Sequence, residues 1–356
     1  MERCFKGYLD LEHKGATSLK AIDLFSGIGG MRIAAENEGF ETVFSSEVYE
    51  GARKIYQDNF GELPSGDIAK IHTEDIPDHD LLLAGFPCQP FSVSGKRLGF
   101  EDTRGTLFFE IARILEKKAP EFVLLENVSG LVGHDNGRTF RRILSVLGSL
   151  GYATSSTVLN AIDFGLPQNR ARTIIVASKS APHDEFVDLT PPLPKFRPRL
   201  RDFLDGSPRD AYLREEEYTL LPENQRVEQS SGLVFAGYIN KPKRKNGTRP
   251  DTEHLSRVHR QHNRIYSTNG VSPTLSSGES SGRDYIYDGL GVRKLTVDEA
   301  FRIMGFPATF KRDANRTILR RTIGNSVPIP MVQEVIRRII QSTVNFDVGQ
   351  EIGGYY

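Results

Sequence analysis

The chain has 356 residues and equal numbers of basic and acidic side chains, 46 of each. Its hydrophobic content of 38% and charged content of 26% are typical of a globular protein in water, and two cysteines exclude a disulfide framework. No apolar stretch reaches the roughly 20 residues that span a bilayer, and residues 1–20 lack the apolar core of a signal peptide. We therefore expect a protein of the reducing cytoplasm, without a membrane contact.

The first predicted unit is a strand, a glycine-rich turn, a helix and a second strand. The strand at 20–25 leads into Ser26-Gly27-Ile28-Gly29-Gly30, a helix follows at 31–39, and Glu47 closes the strand at 42–46. Glycines allow a ligand close to the backbone, and an acid about 20 residues on accepts hydrogen bonds from ribose hydroxyls. A tight turn alone also demands glycine. Because the spacing is not Gly-x-Gly-x-x-Gly, we expect an adenosine ligand without a pyrophosphate and disfavour a nicotinamide cofactor.

The next units place two further reactive groups after turns or strands. Gly66-Asp67-Ile68 offers a second acid, which faces the same crevice if it closes a strand. The apolar strand at 80–86 ends in Pro87-Cys88, where open α/β sheets carry their chemistry. Cys88 is a candidate nucleophile, and the alternative is a small buried hydrophobic residue. The polar segment 92–104 after it predicts a loop that closes over a substrate.

A carboxylate again follows the next predicted strand. A helix is expected at 106–117, a strand at 122–125 leads into Glu126, and a further helix covers 139–150. Two more strands are expected at 158–161 and 173–178. Between them Arg170 and Arg172 alternate, so they share a face of an extended segment, either as solvated edge charges or as ligands for an anionic or carbonyl group.

The second half of the chain has a different character. Prolines cluster from 191 on, and the alternation of strand and helix patterns stops until about 287, which predicts a second, helix-poor domain. The stretch 241–264 is rich in arginine and lysine and is either a solvated charge run or a surface that contacts phosphates. Helical periodicity returns at 296–304, and the chain ends in an amphipathic helix that we expect to pack on the first domain.

Taken together, these motifs resemble those of bacterial DNA (cytosine-5) methyltransferases, the methylases of type II restriction-modification systems. The resemblance runs from one end of the chain to the other, in the family's order and spacing. The matching blocks are Asp23-Leu24-Phe25-Ser26-Gly27-Ile28-Gly29-Gly30, Gly85-Phe86-Pro87-Cys88-Gln89, Glu126-Asn127-Val128, Gln168-Asn169-Arg170-Ala171-Arg172, Arg264-Ile265-Tyr266-Ser267 with Pro273-Thr274-Leu275, and Gly324-Asn325-Ser326-Val327.

The resemblance implies an α/β fold of the S-adenosylmethionine-dependent methyltransferase (Rossmann-like) class. Its sheet is mixed but mostly parallel, with helices on both faces, and a smaller helix-poor target-recognition domain is attached. We predict that 1–194 with 320–356 form the catalytic and cofactor-binding domain. Residues 195–295 would form the target-recognition domain, and 296–319 a hinge or connecting segment.

The cofactor implied is S-adenosylmethionine, with S-adenosylhomocysteine as product and no metal. Phe25 would stack on the adenine, Glu47 would hold the ribose, and Asp67 would accept from the adenine amino group with Ile68 beside the ring. The sequence departs from the family at Val48, where an aromatic residue is common. The methionine end would meet Asn325 and Val327. The complete expected set is Phe25, Gly27, Ile28, Gly29, Gly30, Glu47, Val48, Asp67, Ile68, Pro87, Leu107, Asn325 and Val327.

The implied reaction explains the need for a thiol beside a carboxylic acid. Carbon five of cytosine becomes nucleophilic when a thiolate, here Cys88, adds to carbon six and Glu126 supplies a proton at ring nitrogen three. Burial is expected to raise the pKa of Glu126. Arg172 would orient the base through its carbonyl group, and Arg170 would either hold the site together or contact a phosphate. The target base must leave the duplex stack.

The partner implied is double-stranded DNA, read by a monomer that works with a cognate restriction endonuclease without forming a stable complex. Three alternatives are a tRNA cytosine methyltransferase on the same plan, an inactive DNA-binding module of this fold, and an unrelated nucleotide-dependent oxidoreductase. The residues expected to contact DNA are Ser92, Ser94, Lys96, Arg97, Gln168, Arg244, Arg249, Arg257, Arg260, Arg264 and Thr274.

Overall fold

The computed structural model describes residues 18–87, 107–192, 197–205, 212–240, 252–277 and 284–352, with 343–352 described by their backbone only. Part of the predicted site lies outside these ranges. The residues of our predictions that lie outside the described ranges are Cys88, Ser92, Ser94, Lys96, Arg97, Arg244 and Arg249.

Strands and helices alternate through the first half of the chain. In order they are β1 (Lys20–Leu24), α1 (Gly30–Glu36), β2 (Glu41–Ser46), α2 (Glu50–Phe60), β3 (Leu81–Gly85), α3 (Leu107–Lys118), β4 (Phe122–Val128), α4 (Arg138–Ser149), β5 (Ala153–Asn160), β6 (Gln168–Asn169) and β7 (Ala171–Ser178).

The second half is built mainly of short strands, followed by three helices. They are β8 (Tyr218–Leu220), β9 (Phe235–Ile239), β10 (Arg264–Ser267), β11 (Ser272–Pro273), β12 (Tyr285–Tyr287), β13 (Val292–Lys294), α5 (Val297–Arg302), α6 (Arg316–Asn325) and α7 (Ile329–Ile352).

The central sheet has the strand order β2-β1-β3-β4-β7-β5. The first four strands run parallel, and β7 is antiparallel to both β4 and β5. A second sheet has the order β13-β12-β10-β9-β8, and β11 pairs with β6. The predicted fold class, a mixed and mostly parallel sheet within an α/β protein, is confirmed.

Alternation along the central strands explains the two layers of helices. Leu81 and Leu83 pack in one apolar core with α1 and α7, whereas Leu82 and Ala84 pack in another with α3 and α4. Successive side chains of a strand point to opposite faces, so a continuous apolar run is what a sheet covered on both faces requires. The C-terminal helix therefore returns to the first domain, where it contacts α1.

The structure departs from the sequence predictions at three places. Helix α2 was not predicted, because only Ala52, Ile55 and Tyr56 of its eleven residues are buried and the rest of the pattern is polar. Strand β5 begins at Ala153, well before position 158, since pairing with β7 continues through a polar stretch. Asp67 does not close a strand; it caps a short 3-10 turn, Ile68–Lys70.

The segment 296–319 was predicted to be a hinge or connecting segment, and its apolar side chains pack into a buried core. Phe301, Met304, Phe306 and Phe310 are buried in the same core as α1 and α7. The rings of Phe306 and Phe310 lie 4.8 Å apart at a steep angle, a favourable edge arrangement. The division of the chain into domains at 194 and 295 stays a prediction.

Candidate active site

A cleft of about 800 Å³ lies at the carboxyl ends of β1 to β4. This is the edge where doubly wound sheets bind their ligands, and the volume is in the range of small-molecule sites. Parallel register brings distant parts of the chain together there, for example Gly85 of β3 opposite Glu126 of β4. Predicted site residues that line the cleft are Phe25, Gly27, Glu47, Val48, Asp67, Ile68, Pro87, Leu107, Glu126, Arg170, Arg172 and Asn325.

One end of the cleft carries a carboxylate that is held by the backbone. Glu47 accepts hydrogen bonds from the amide of Gly27 at 2.9 Å and from the amide of Tyr49 at 2.7 Å. Gly27 has φ +55°, and a Cβ there would meet no atom within 4 Å. Phe25 also has a left-handed φ of 57°, which costs a non-glycine residue about 1–3 kcal/mol and is characteristic of functional sites. The carboxylate of Glu47 is therefore held in one position, and the space beside Gly27 is free for a ligand.

Asp67 and Ile68 form another part of the same wall. One carboxylate oxygen of Asp67 accepts from the amide of Ala69 at 3.1 Å, which caps the turn that follows. Ile68 is buried against the core on the α3 side of the sheet, yet it lines the cleft. An apolar side chain beside a carboxylate is suited to a heterocycle with an amino group at its edge.

Four residues of the predicted cofactor set are not among those that line the cleft, and their contact with a cofactor stays a prediction. Ile28 and Val327 are buried in the core that contains α1 and α7. Gly29, with φ +84°, packs against Phe60, whose ring would lie 2.3 Å from an added Cβ. Gly30 packs against Val327, 3.1 Å from such a Cβ. These residues shape the turn and seat the C-terminal segment against α1.

Val48 departs from the family's aromatic pattern and lines the cleft with 68% of its surface exposed. The next residue, Tyr49, also lines the cleft, and the guanidinium of Arg321 lies 4.0 Å from the centre of its ring. Neither Tyr49 nor Arg321 was singled out in the sequence. An aromatic residue one place beyond the expected position was the available signal for Tyr49.

Glu126 and Arg172 form an ion pair at the other end of the cleft. The guanidinium Nε of Arg172 lies 2.7 Å from a carboxylate oxygen of Glu126, and each side chain is only 11% exposed. Burial raises the pKa of Glu126, and this effect exceeds the lowering by the charges of Arg172 and Arg170. A carboxyl with a raised pKa is suited to donate a proton near neutral pH.

Arg170 is buried behind this pair and serves as a structural tie. Its guanidinium donates to the carbonyls of Leu275 at 3.2 Å, Gly324 at 2.9 Å and Ser326 at 2.6 Å. Burial, followed by the charge of Arg172, lowers the pKa of Arg170 to about 9, so it is still a cation at neutral pH. Of the two predicted roles, holding the site together agrees with these contacts, and a phosphate contact does not.

Asn127 lies in one of the matching sequence blocks, where it has no predicted role, and in the structure it holds the chain that precedes Cys88. Its side-chain amide is buried and donates to the carbonyl of Phe86 at 2.8 Å. Strand β4 thereby holds the chain two residues before Cys88. Pro87, the last described residue there, lines the cleft with Glu126.

The predicted DNA-contacting residues that the structure describes fall into three groups. Gln168 is completely buried and donates to the sulfur of Met304 at 3.3 Å, so its side chain is engaged within the protein, and its contact with DNA stays a prediction. Arg264 and Thr274 line a second cavity of about 290 Å³ that also reaches Arg172. Arg257, within the 3-10 turn Ser256–Val258, and Arg260, immediately before the turn Gln261–Asn263, are exposed on the surface.

The described residues include neither a candidate metal site nor a candidate membrane-spanning helix. They contain no group of three or more His, Cys, Asp or Glu side chains arranged to hold a metal ion. Among the same residues, no helix is long and apolar enough to cross a membrane.

Comparison with known proteins agrees with this geometry. Residues 19–341 match the family described as C-5 cytosine-specific DNA methylase. The chain is 37% identical to the type II methyltransferase M.HhaI of Haemophilus parahaemolyticus, over 95% of this chain and 99% of that enzyme. It is 44% identical to M.NgoBI of Neisseria gonorrhoeae, over 90% of this chain and 92% of that enzyme.

Solved structures extend the likeness in fold. A DNMT2 variant from Spodoptera frugiperda superposes with a TM-score of 0.64 over 91% of this chain, at 20% sequence identity. The chain belongs to the C-5 cytosine-specific DNA methylase family. It is a DNA (cytosine-5) methyltransferase of the type II restriction-modification class. The predicted family and enzyme class are confirmed, and the inactive module and the oxidoreductase are set aside.

Proposed function

We propose that this enzyme methylates carbon five of a cytosine that is flipped out of a short specific double-stranded site, through a covalent adduct with Cys88. One observation supports this most directly. A single cleft contains the buried Glu126–Arg172 pair, Pro87 immediately before Cys88, and the acids Glu47 and Asp67. Methyl transfer to a base needs a nucleophile, a proton donor and an adenosine-binding wall within reach of each other.

The residues of the cleft fit S-adenosylmethionine as the cofactor. The open space at Gly27 would admit a ligand to the backbone, and the carboxylate of Glu47, held by the Gly27 amide, would accept from ribose hydroxyls. Phe25 and Ile68 offer apolar surface for the adenine, Asp67 an acceptor for its amino group, and Asn325 a polar group for the methionine end. When bound, this cofactor supplies an electrophilic methyl group on a sulfonium.

The side chains of this enzyme then perform proton and thiolate chemistry on the base. The thiolate of Cys88 adds to carbon six, and Glu126 gives its proton to ring nitrogen three, so that carbon five becomes nucleophilic. Arg172 holds the carboxyl of Glu126 in place and orients the base through its carbonyl oxygen. After carbon five is methylated, a base removes the proton of carbon five, the electron pair reforms the double bond between carbons five and six, the thiolate leaves carbon six, and ring nitrogen three returns its proton to the carboxylate of Glu126.

The DNA contacts follow from the position of this pair. Glu126 and Arg172 are too deep in the cleft for a base within a duplex, which supports flipping at a cost of a few kcal/mol. Arg264 and Thr274 line a cavity that Arg172 also lines, which supports a contact between these residues and the strand that carries the target. Residues 195–295 would read the sequence, with Arg244, Arg249, Arg257 and Arg260 on bases or phosphates.

The setting we propose is that of a monomer in the bacterial cytoplasm. It would protect host DNA from a cognate restriction endonuclease, without a stable complex between the two proteins. The type II methyltransferases among its relatives support this role.

The first test identifies the substrate and the reaction. DNA from cells that express the chain is sequenced after bisulfite treatment, and we expect protected cytosines at one short motif. Purified enzyme is then given labelled S-adenosylmethionine with duplex DNA or with tRNA. Labelling of tRNA alone would contradict the proposal.

The second test addresses the adduct. A duplex that carries fluorine at carbon five of the target cytosine leaves no proton to remove, so we expect a complex of enzyme and DNA that survives denaturation. The Cys88→Ser variant should give no such complex and should lose more than a thousandfold in kcat. Full activity of Cys88→Ser would overturn the role of the thiol.

A further inference from the structure

The segment 67–73 carries Asp67 and Ile68 into the cleft without being part of the central sheet. It contains the 3-10 turn Ile68–Lys70 and ends at the first residue of a second turn, Thr73–Asp75, between α2 and β3. A turn has fewer backbone partners than a strand, so its position depends on the contacts that it makes with its neighbours. The neighbour here is α3, whose first residue, Leu107, lines the same cleft.

One side chain of α3 holds this segment at three points. Arg113 donates to the carbonyls of Ile68 and Ile71, each at 3.1 Å, and to the hydroxyl of Thr73. Its Nε donates to Glu110, one turn earlier on the same helix, at 3.0 Å. The guanidinium thus connects helix α3 to the backbone at the start and at the end of the turn Ile68–Lys70.

The chemistry of these contacts requires arginine. A guanidinium presents five donors in a rigid plane, whereas an ammonium is a point charge on a flexible stem. Thr73 is buried and Arg113 is 34% exposed, so the contacts are partly shielded from water. An exposed pair lies along the same seam, with Lys117 at 3.9 Å from Glu74 and both side chains more than 60% exposed. Such a pair contributes little.

We propose that Arg113 is a positioning residue for adenine recognition: it holds segment 67–73 so that Asp67 and Ile68 meet the edge and the face of the ring. The inference rests on the proposed binding of S-adenosylmethionine in this cleft. Arg113 acts through the carbonyl of Ile68, immediately after Asp67. Its loss therefore weakens discrimination between bases of the cofactor and leaves the proton chemistry at Glu126 in place.

The test is a comparison of two ligands on the full chain. Dissociation constants are measured by titration calorimetry for S-adenosylhomocysteine and for S-inosylhomocysteine, which lacks the amino group. We expect the wild-type protein to prefer the adenine form by about tenfold, the equivalent of one hydrogen bond. The Arg113→Met and Arg113→Lys variants should bring that ratio close to one. The matched control Lys117→Met should keep it.

The outcomes separate this inference from the proposal on which it rests. If the wild-type protein binds both ligands equally, the assignment of Asp67 fails and the inference fails with it. If the wild-type protein discriminates and the folded Arg113→Lys variant keeps the ratio, the inference alone is wrong. Arg113→Lys retains the charge, so it carries the test if the Met variant melts below the assay temperature. In turnover, KM for the cofactor should rise about tenfold with kcat within twofold.

Discussion

At the scale of single residues, the environment of Glu126 determines its chemistry. An exposed glutamate is ionised near neutral pH and has no proton to give. In this cleft the nearby arginines favour the charged form, but burial is the larger effect and raises the pKa. The ion pair with Arg172 orients the carboxyl of Glu126. Its raised pKa favours the protonated form, which is the form that can donate to a ring nitrogen.

The pH dependence of the reaction follows from the sign of this shift. Because the protonated form of Glu126 is the donor, we expect kcat to fall as pH rises through its raised pKa. The Glu126→Gln variant has no proton to lose, so it should retain about 1% of kcat or less and lack this fall. A pH series of single-turnover rates on duplex DNA checks this. A wild-type rate that rises steadily from pH 6 to 9 would contradict the assignment.

At the scale of elements, Arg170 joins three parts that are far apart in sequence. It lies between β6 and β7, and its partners are the carbonyls of Leu275, beyond β11, and of Gly324 and Ser326, at the end of α6. The same end of α6 contributes Asn325 to the cleft. A buried guanidinium with three carbonyl acceptors therefore ties the C-terminal segment to the end of the cleft that holds Glu126.

We expect Arg170→Met to lower the free energy of unfolding by about 3 kcal/mol, because three buried carbonyls lose their donor. The exposed Arg257→Met variant is the matched control and should change it by less than about 0.5 kcal/mol. Urea denaturation followed by circular dichroism measures both. If Arg170→Met unfolds at the same urea concentration as the wild type, the tie is not structural. KM for the cofactor should also rise, because Asn325 loses its support.

At the scale of the whole molecule, a buried acid links global stability to pH. Asp23 at the end of β1 is 1% exposed, and one of its oxygens has no hydrogen-bond partner among the described residues. Burial raises its pKa from 3.8 to about 8. Between these values the folded chain holds a proton that the unfolded chain releases. The contribution of Asp23 to stability is therefore greatest in acid and is lost as pH rises to about 8.

Replacement of this carboxyl by an amide removes the linkage. We expect Asp23→Asn to differ little from the wild type near pH 4 and to gain stability relative to it at higher pH. The difference in unfolding free energy should grow by up to about 1.4 kcal/mol per pH unit, reaching a plateau above pH 8. Thermal melts at a series of pH values test this, with the exposed Asp313→Asn as the control. A constant difference across the series would refute it.

Much of this architecture was predictable because its signals are local. Apolar runs, a glycine turn and acids at the ends of strands specified the parallel part of the sheet and one edge rich in chemistry. Glu47 and Glu126 line one cleft for that reason, whereas Asp67 reaches the same cleft from a 3-10 turn. Helix α2 was missed because few of its residues are buried, and a helix that is mostly polar leaves a weak periodic signal.

The sequence by itself determined which groups we propose for the chemistry, since motif spacing and strand order predict that they meet at one edge of the sheet. Only the tertiary structure decided their environment. Gln168 and Arg170 are as polar as any residue on the surface, yet β11 and α6 cover them, and their side chains donate hydrogen bonds to other parts of the protein. In the sequence, Arg113 is an ordinary helix residue, and only the fold brings it within hydrogen-bond distance of the carbonyls of Ile68 and Ile71. Burial and hydrogen-bond partners depend on segments that are distant in the chain, and no local pattern contains them.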